Sequence, residues 1–406
     1  MEDKMILRQQ RQSALRRALI LGTATGAFAF GTSAYAEETL KIGALGVMSG
    51  PFAGWGGVMC QTFKSRAGMW NDDGGVAIGD KTYKIEVVCV DDKGDPKGAQ
   101  TGAEKLVSEG VKYIQGPNTD STAESAKTVM EANGTVNMPY AFSKSLYKAP
   151  ASQSILGMVA SYQVGPVIYK WLMENKGVKK IAFVSENNAD PIKQRDEGSA
   201  GAKALGLEVV SDQETYESGT TDFFPILTKV IGTSPDHIVL SGVSPSDVGP
   251  LIKAARELGF TGTMSTETGQ DPKAIYEVAG DAANGFIAAG GASTEAIRSD
   301  FMVKFIERYT KDWGEWNDVA GLYVYGPEIM IQTLQSVGPK ALDDTEAFKA
   351  ALDGFVGKNP FLKEGGELKY VGRTDYGQPR QVSVPIVVQQ VENGEYKPLF
   401  VGKLPD

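Results

Sequence analysis

The chain has 406 residues, with 41 Lys and Arg against 50 Asp and Glu, one His and two Cys. Removing the first 36 residues takes away five basic and two acidic groups and leaves a formal charge of −12. A surface that negative excludes nucleic acid, which needs clustered Lys and Arg, and disfavours an anionic membrane surface. The length exceeds one typical domain, so two lobes are expected.

In chain order, the first feature is a leader. Lys4, Arg8, Arg11, Arg16 and Arg17 precede an apolar stretch from Ala18 to Phe30, then Ala34-Tyr35-Ala36 and the acidic pair Glu37-Glu38. A basic region, a short apolar region and a small-x-small site make a secretory signal peptide, cleaved after Ala36 and leading to the periplasm. The apolar run is shorter than the roughly 20 residues a membrane span needs. Arg16-Arg17 leaves the twin-arginine and general export routes both open.

The remainder alternates strands and helices. Leu40–Met48 is an apolar strand, and Phe63–Asn71 is helical up to the loop signal Asp72-Asp73-Gly74-Gly75. Tyr83–Val90 is a strand, Lys97–Gly110 a helix with Ala99, Ala103, Leu106 and Val107 on one face, and Tyr113–Gln115 a short strand before the helix Ser121–Ala132. The rhythm restarts with strands at Ile181–Val184, Leu207–Val210, His237–Ser241 and Gly285–Ala289. Between them lie helices at Asp196–Leu205, Pro225–Ile231 and Pro250–Leu258. Longer helices cover Ser299–Lys311 and Val319–Val337, and Gly366–Val391 reads as hairpin strands. Such alternation predicts an α/β fold: two doubly wound lobes with parallel-rich sheets, covered by helices on both faces.

Little in the sequence suggests catalysis. His237 is the one histidine, so a Ser-His-Asp or Cys-His arrangement would have to use it; it reads instead as a strand-edge residue beside Asp236. One His and two Cys spread this widely make no zinc site, and there is no phosphate-binding GxxxxGK loop. Asp91-Asp92-Lys93-Gly94-Asp95 lacks the Glu of a calcium loop and reads as a strand-end turn. No cofactor, no metal and no enzymatic activity are expected. Cys60 and Cys89 are either a disulfide, which export permits, or two buried thiols.

A series of segments then falls into one register. Lys41-Ile42-Gly43, Met48-Ser49-Gly50-Pro51 and Trp55-Gly56 come first, followed by Asp91-Asp92 with Asp95-Pro96-Lys97. Gly110–Ile114 with Asp120-Ser121-Thr122, Ala254–Gly259, Glu267 and Ala279–Gly285 complete it. In this order they resemble the periplasmic leucine/isoleucine/valine-binding proteins of ABC importers. The resemblance implies a type I periplasmic binding fold with three hinge crossovers and ligand in the cleft. Hinge crossings are expected near Val159–Ala160, Ala289–Gly290 and Val384, dividing the chain into a leader (1–36), lobe 1 (37–159 plus 290–383) and lobe 2 (160–289 plus 384–406). It also implies a monomer that hands a small-molecule ligand to a membrane permease. A ligand-sensing receptor module of the same fold, taking an aromatic acid, an amide or another non-amino-acid ligand, is the alternative.

Ligands of parallel sheets bind beyond the carboxyl ends of strands, where helix N-termini suit anions. Asn118-Thr119-Asp120-Ser121 is such a loop, with Asp120 or Ser121 as the alternative helix cap. Resemblance adds Tyr140, Ala141, Phe142 and Ser143 as a second ligand loop, Trp55 as an aromatic wall, and Glu267 as the partner of an α-ammonium. It also marks departures. Phe142 stands where the family has Thr, and Asp190 and Val243 stand at positions the family fills with aromatic residues. A ligand other than leucine, isoleucine or valine is therefore expected, with an amino acid or related compound as the class.

Overall fold

The computed structural model describes residues 38–149 and 153–404. The leader and its cleavage point after Ala36 lie outside those residues.

β1 (Glu38–Gly46) buries Ile42, Ala44 and Leu45 completely. A continuous buried run, with no alternation, is what a parallel strand covered on both faces requires. β2 (Val76–Ile78), β3 (Lys81–Asp91), β4 (Tyr113–Gln115) and β5 (Val136–Met138) join it in a first sheet ordered β2-β3-β1-β4-β5. Only the β2–β3 pairing there is antiparallel. Helices α1 (Ala53–Asp72), α2 (Pro96–Ser108) and α3 (Asp120–Ala132) run between these strands.

α4 (Ser161–Lys176) then leads into a second sheet. Its parallel strands are β6 (Lys180–Glu186), β7 (Glu208–Tyr216), β8 (His237–Leu240), β9 (Thr263–Gly269) and β10 (Ile287–Gly290). Helices α5 (Ala189–Ala204), α6 (Phe224–Gly232), α7 (Pro245–Glu257) and α8 (Pro272–Ala279) alternate with them. After β10 the chain returns to the first sheet's side. There α9 (Asp300–Trp313) and α10 (Ala320–Tyr323) pack on α1, and α11 (Tyr325–Val337) packs on β2. β11 (Val356–Lys358), β12 (Glu367–Val371) and β13 (Gln381–Val382) form a small antiparallel sheet there. β14 (Pro385–Glu392) and β15 (Glu395–Lys403) finish the chain as antiparallel strands of the second sheet, ordered β15-β14-β10-β9-β8-β6-β7. The α/β architecture with two mostly parallel sheets is the expected fold class.

Several local expectations need correction. α1 begins ten residues before the expected start at Phe63. Gly54, Gly56 and Gly57 resemble a turn, yet Gly56 is glycine because a Cβ there would stand 2.3 Å from the Val47 carbonyl oxygen. α5 begins at Ala189, so Asp190 belongs to its first turn and not to a loop. Glu267 lies within β9 and not after a strand. Thr119, not Asp120 or Ser121, caps α3, its side chain accepting from the Thr122 N–H. His237 opens β8, which lies between β6 and β9. Its buried ring meets the hydroxyls of Thr263 and Ser265, each at 2.8 Å. Asp236 instead accepts from the backbone of Lys179 and Lys180. Cys60 on α1 and Cys89 on β3 form a disulfide. Among the described residues no helix is long and apolar enough to cross a membrane, and no group of His, Cys, Asp and Glu is placed to hold a metal ion.

Candidate functional site

Each sheet has one point where successive crossovers leave a strand in opposite directions. In the first sheet this lies between β1 and β4, in the second between β6 and β8. Loops at the carboxyl ends of such strand pairs diverge and leave a crevice. Here the two crevices face each other. The loop after β1 leads to Phe52 and Trp55 and the loop after β4 supplies Asn118 and Thr119. Opposite them the loop after β6 leads to Asp190 and Gln194 on α5, and the loop after β8 supplies Gly242.

Two adjoining cavities occupy the gap and share Trp55, Asn118, Tyr140, Phe142 and Gln194. The inner one is walled by these aromatics with Met158, Val159, Val319, Leu322 and Tyr323, and reaches Glu267 and Thr268 on β9. The outer one runs along Thr119, Asp120, Ser121, Ala141 and Asp190. Tyr140 packs edge-on to Tyr323 with centroids 4.5 Å apart, and its hydroxyl donates to Gln115 Oε1 at 2.6 Å. Edge-to-face pairs of this kind fix ring orientation. The Trp55 indole N–H crosses the cleft and donates to the Gly269 carbonyl at 3.2 Å.

Glu267 is 3% exposed. Its carboxyl accepts from the Tyr169 hydroxyl at 2.5 Å and from Ser241 Oγ at 3.2 Å. Both partners are neutral. Burial without a cation pushes the carboxyl up to about 7, with the two hydroxyls pulling the other way. Space for it depends on Gly198, where a Cβ would lie 2.8 Å from Glu267 Oε1 and 2.9 Å from the Tyr169 hydroxyl.

The rim of the outer cavity is made of internal carboxylates. Asp120 Oδ1 accepts from the backbone N–H of Phe142 and Ser143 at 2.5 and 2.8 Å, and its Oδ2 pairs with Lys193 at 2.8 Å across the cleft. Asp190 Oδ2 accepts from Ser121 Oγ at 3.0 Å and more weakly from the Ser121 N–H at 3.4 Å. Burial, then the neighbouring charge of Asp120, raises the Asp190 carboxyl above its usual range. Among the described residues, no Lys or Arg lines either cavity.

Of the residues expected from the sequence, Trp55, Asn118, Thr119, Tyr140, Ala141, Phe142, Asp190 and Glu267 meet around this gap. Two do not. Ser143 turns away to Glu124 and Ser145. Val243 is fully buried in the apolar core of the second sheet, packed among residues such as Leu240 and Val248, because the tight turn at Gly242 drives it inward. Gln194, Thr268 and Tyr323 were missed. Gln194 lies one helical turn beyond Asp190, a spacing that becomes visible once α5 is started at Ala189. Tyr323 has no sequence signal, since it reaches the cavity from nearly two hundred residues beyond the Tyr140 loop.

This arrangement of two facing parallel sheets with a cavity at their switch points defines a cleft-type binding protein. The family described as "Periplasmic binding protein" matches residues 39–395, and the chain belongs to it. Members of that family are solute-binding proteins and not an enzyme class, working with ABC transporters on small-molecule ligands. The chain is 25% identical to the Leu/Ile/Val-binding protein of Escherichia coli K12 over 338 residues, covering 82% of this chain and 87% of that one. Its fold is similar to the isoleucine complex of a branched-chain amino acid transporter substrate-binding protein from Streptococcus pneumoniae, with TM-score 0.74 and 22% identity over 90% of this chain and 100% of that chain. It is equally similar to a Rhodopseudomonas palustris solute-binding protein in complex with benzoate, with TM-score 0.74 and 17% identity over 91% and 98% of the two chains.

Proposed function

We propose that the chain is the extracytoplasmic solute-binding component of an ABC importer, holding one small molecule, an amino acid or a compound related to one, in the cleft between two lobes. The observation that carries this reading is the cavity itself: it lies at the switch points of both sheets and is closed by residues from both. Lobe 1 comprises 37–159 and 290–383, lobe 2 comprises 160–289 and 384–406, and the leader is removed after Ala36 to release a periplasmic monomer that delivers its ligand to a membrane permease. Trp55, Tyr140 and Phe142 clamp the apolar body of the ligand. Asn118, Thr119, Ala141 and Asp190 line its polar end, and Glu267 receives its amine-type group. Ser143 and Val243 act through the loops they anchor. No chemistry is performed, a reading supported by His237, whose buried ring bonds to Thr263 and Ser265 and does not line either cavity.

The test is a thermal-shift screen of residues 37–406 against amino acids, amides, amines, aromatic acids and polyols. A ligand that binds only the folded chain raises the midpoint by mass action, about 2.7 kcal/mol of stabilisation at one hundred times Kd. One compound class is expected to do so, with one-to-one stoichiometry by calorimetry and no turnover. A silent screen, or conversion of the bound compound, overturns the reading.

A further inference from the structure

The groups that hold an anion most strongly in a cleft are helix N-terminal backbone N–H groups and cations. The donors of the Phe142–Ser143 backbone are already taken by Asp120 Oδ1. The Ser121 donors at the start of α3 are taken by Asp190 Oδ2. The ammonium of Lys193 is paired with Asp120, and among the described residues no Lys or Arg lines either cavity. The protein has thus placed two carboxylates of its own on the donors that a ligand carboxylate would use. A third, Glu267, lines the inner cavity with only hydroxyl partners. Meanwhile two acceptors among the lining residues, Asn118 Oδ1 and Gln194 Oε1, are buried with no hydrogen-bond partner.

From this we infer that the ligand carries no carboxylate: it is an uncharged or cationic hydrogen-bond donor, an amide or an amine on an apolar or aromatic body. The inference rests on the solute-binding reading above and narrows its ligand class. A carboxylate entering the cleft would stand beside Asp120 and Asp190 without a free cation. Like charges held together in this way lower affinity by at least about tenfold. An N–H donor meets instead Glu267, Gln194 and Asn118, and its body meets Trp55, Tyr140 and Phe142.

Matched pairs decide the matter on residues 37–406. Leucine is set against leucinamide, benzoate against benzamide, and further aliphatic and heteroaromatic acids against their amides and amines, by thermal shift and calorimetry. In any pair that binds, the member without a carboxylate is expected to bind at least about tenfold tighter. An acid binding as tightly as its amide overturns the inference and leaves the solute-binding reading standing. Silence of every pair overturns both. Asp190→Asn supplies an independent arm, because it removes one internal carboxylate and keeps the side-chain shape. In that variant the acid of a binding pair is expected to gain about tenfold relative to its amide. An unchanged ratio in a variant with normal unliganded melting counts against the assignment.

Discussion

Glu267 is the residue on which the site turns. A carboxyl at 3% exposure with two hydroxyl partners and no cation is held neutral by burial to about pH 7, against an ordinary value of 4.5. In the unfolded chain the same group ionises near its ordinary value. Between those two values the folded state binds more protons, so this group's contribution to stability declines as pH rises from about 4.5 to about 7, on the order of 1.4 kcal/mol per unit. Glu267→Gln should flatten that part of the stability–pH curve relative to the parent, measured by urea unfolding between pH 4.5 and 7.5. The same variant should bind an amine-bearing ligand more than about tenfold more weakly, because a bound ammonium would draw Glu267 into its ionised form and glutamine cannot supply that charge. Normal affinity in calorimetry would remove Glu267 from the ligand's contacts. Nothing in the sequence around Met264–Thr268 announces this environment; burial shifts the carboxyl up, against the hydroxyls of Tyr169 and Ser241 brought from α4 and the end of β8.

At the scale of elements, the cleft depends on how α1 is held to the first sheet. The helix carries Trp55 in its first turn, five residues before Cys60, whose disulfide ties it to β3. With 29 residues separating the two cysteines, loop-closure arithmetic assigns the bridge about 3–4 kcal/mol. Cys60→Ala with Cys89→Ala should therefore lower the melting midpoint by several degrees, since neither sulfur lines the cavity and α1 keeps its contacts through Phe63 and Ala67. Affinity for the cognate ligand should stay unchanged. An unaltered midpoint would mean that packing alone secures the helix. Element order and type for β1, β3, α2 and α3 were legible in the sequence, because each has a regular apolar pattern and a clear stop. The starts of α1 and α5 were not legible. Three glycines disguise the first, and the polar run Asn187-Asn188-Ala189-Asp190 disguises the second.

For the whole molecule, the cleft contacts are few and polar. Asp190 and Lys193 on α5 meet Ser121 and Asp120 on α3, and Trp55 meets Gly269. One part-buried ion pair and two hydrogen bonds contribute about 1 kcal/mol each, too little to hold the proposed lobes shut. Ligand should supply the difference, closing the lobes about the crossings near Val159–Ala160, Ala289–Gly290 and Val384. Small-angle scattering is expected to show a smaller radius of gyration at saturating ligand. An unchanged radius would argue for a rigid cleft.

The amino-acid order alone determined the α/β class, the doubling of the strand–helix rhythm and the poverty of catalytic groups. Those features live in local periodicity and composition, which each segment carries by itself. The strand-end loop at Asn118 and the family's register, which added Trp55, Tyr140, Phe142, Asp190 and Glu267, made one candidate set. Only the tertiary structure decided what they touch. Val243 is core because the turn at Gly242 aims it at Leu240 and Val248. Tyr323 and Gln194 belong to the cavity because a returning helix and a longer α5 put them there. Asp190 covers the Ser121 donors, and Lys193 pairs with Asp120, because residues about seventy apart in the chain meet across the cleft. Contacts of that range depend on how two sheets face each other, and no local pattern encodes that.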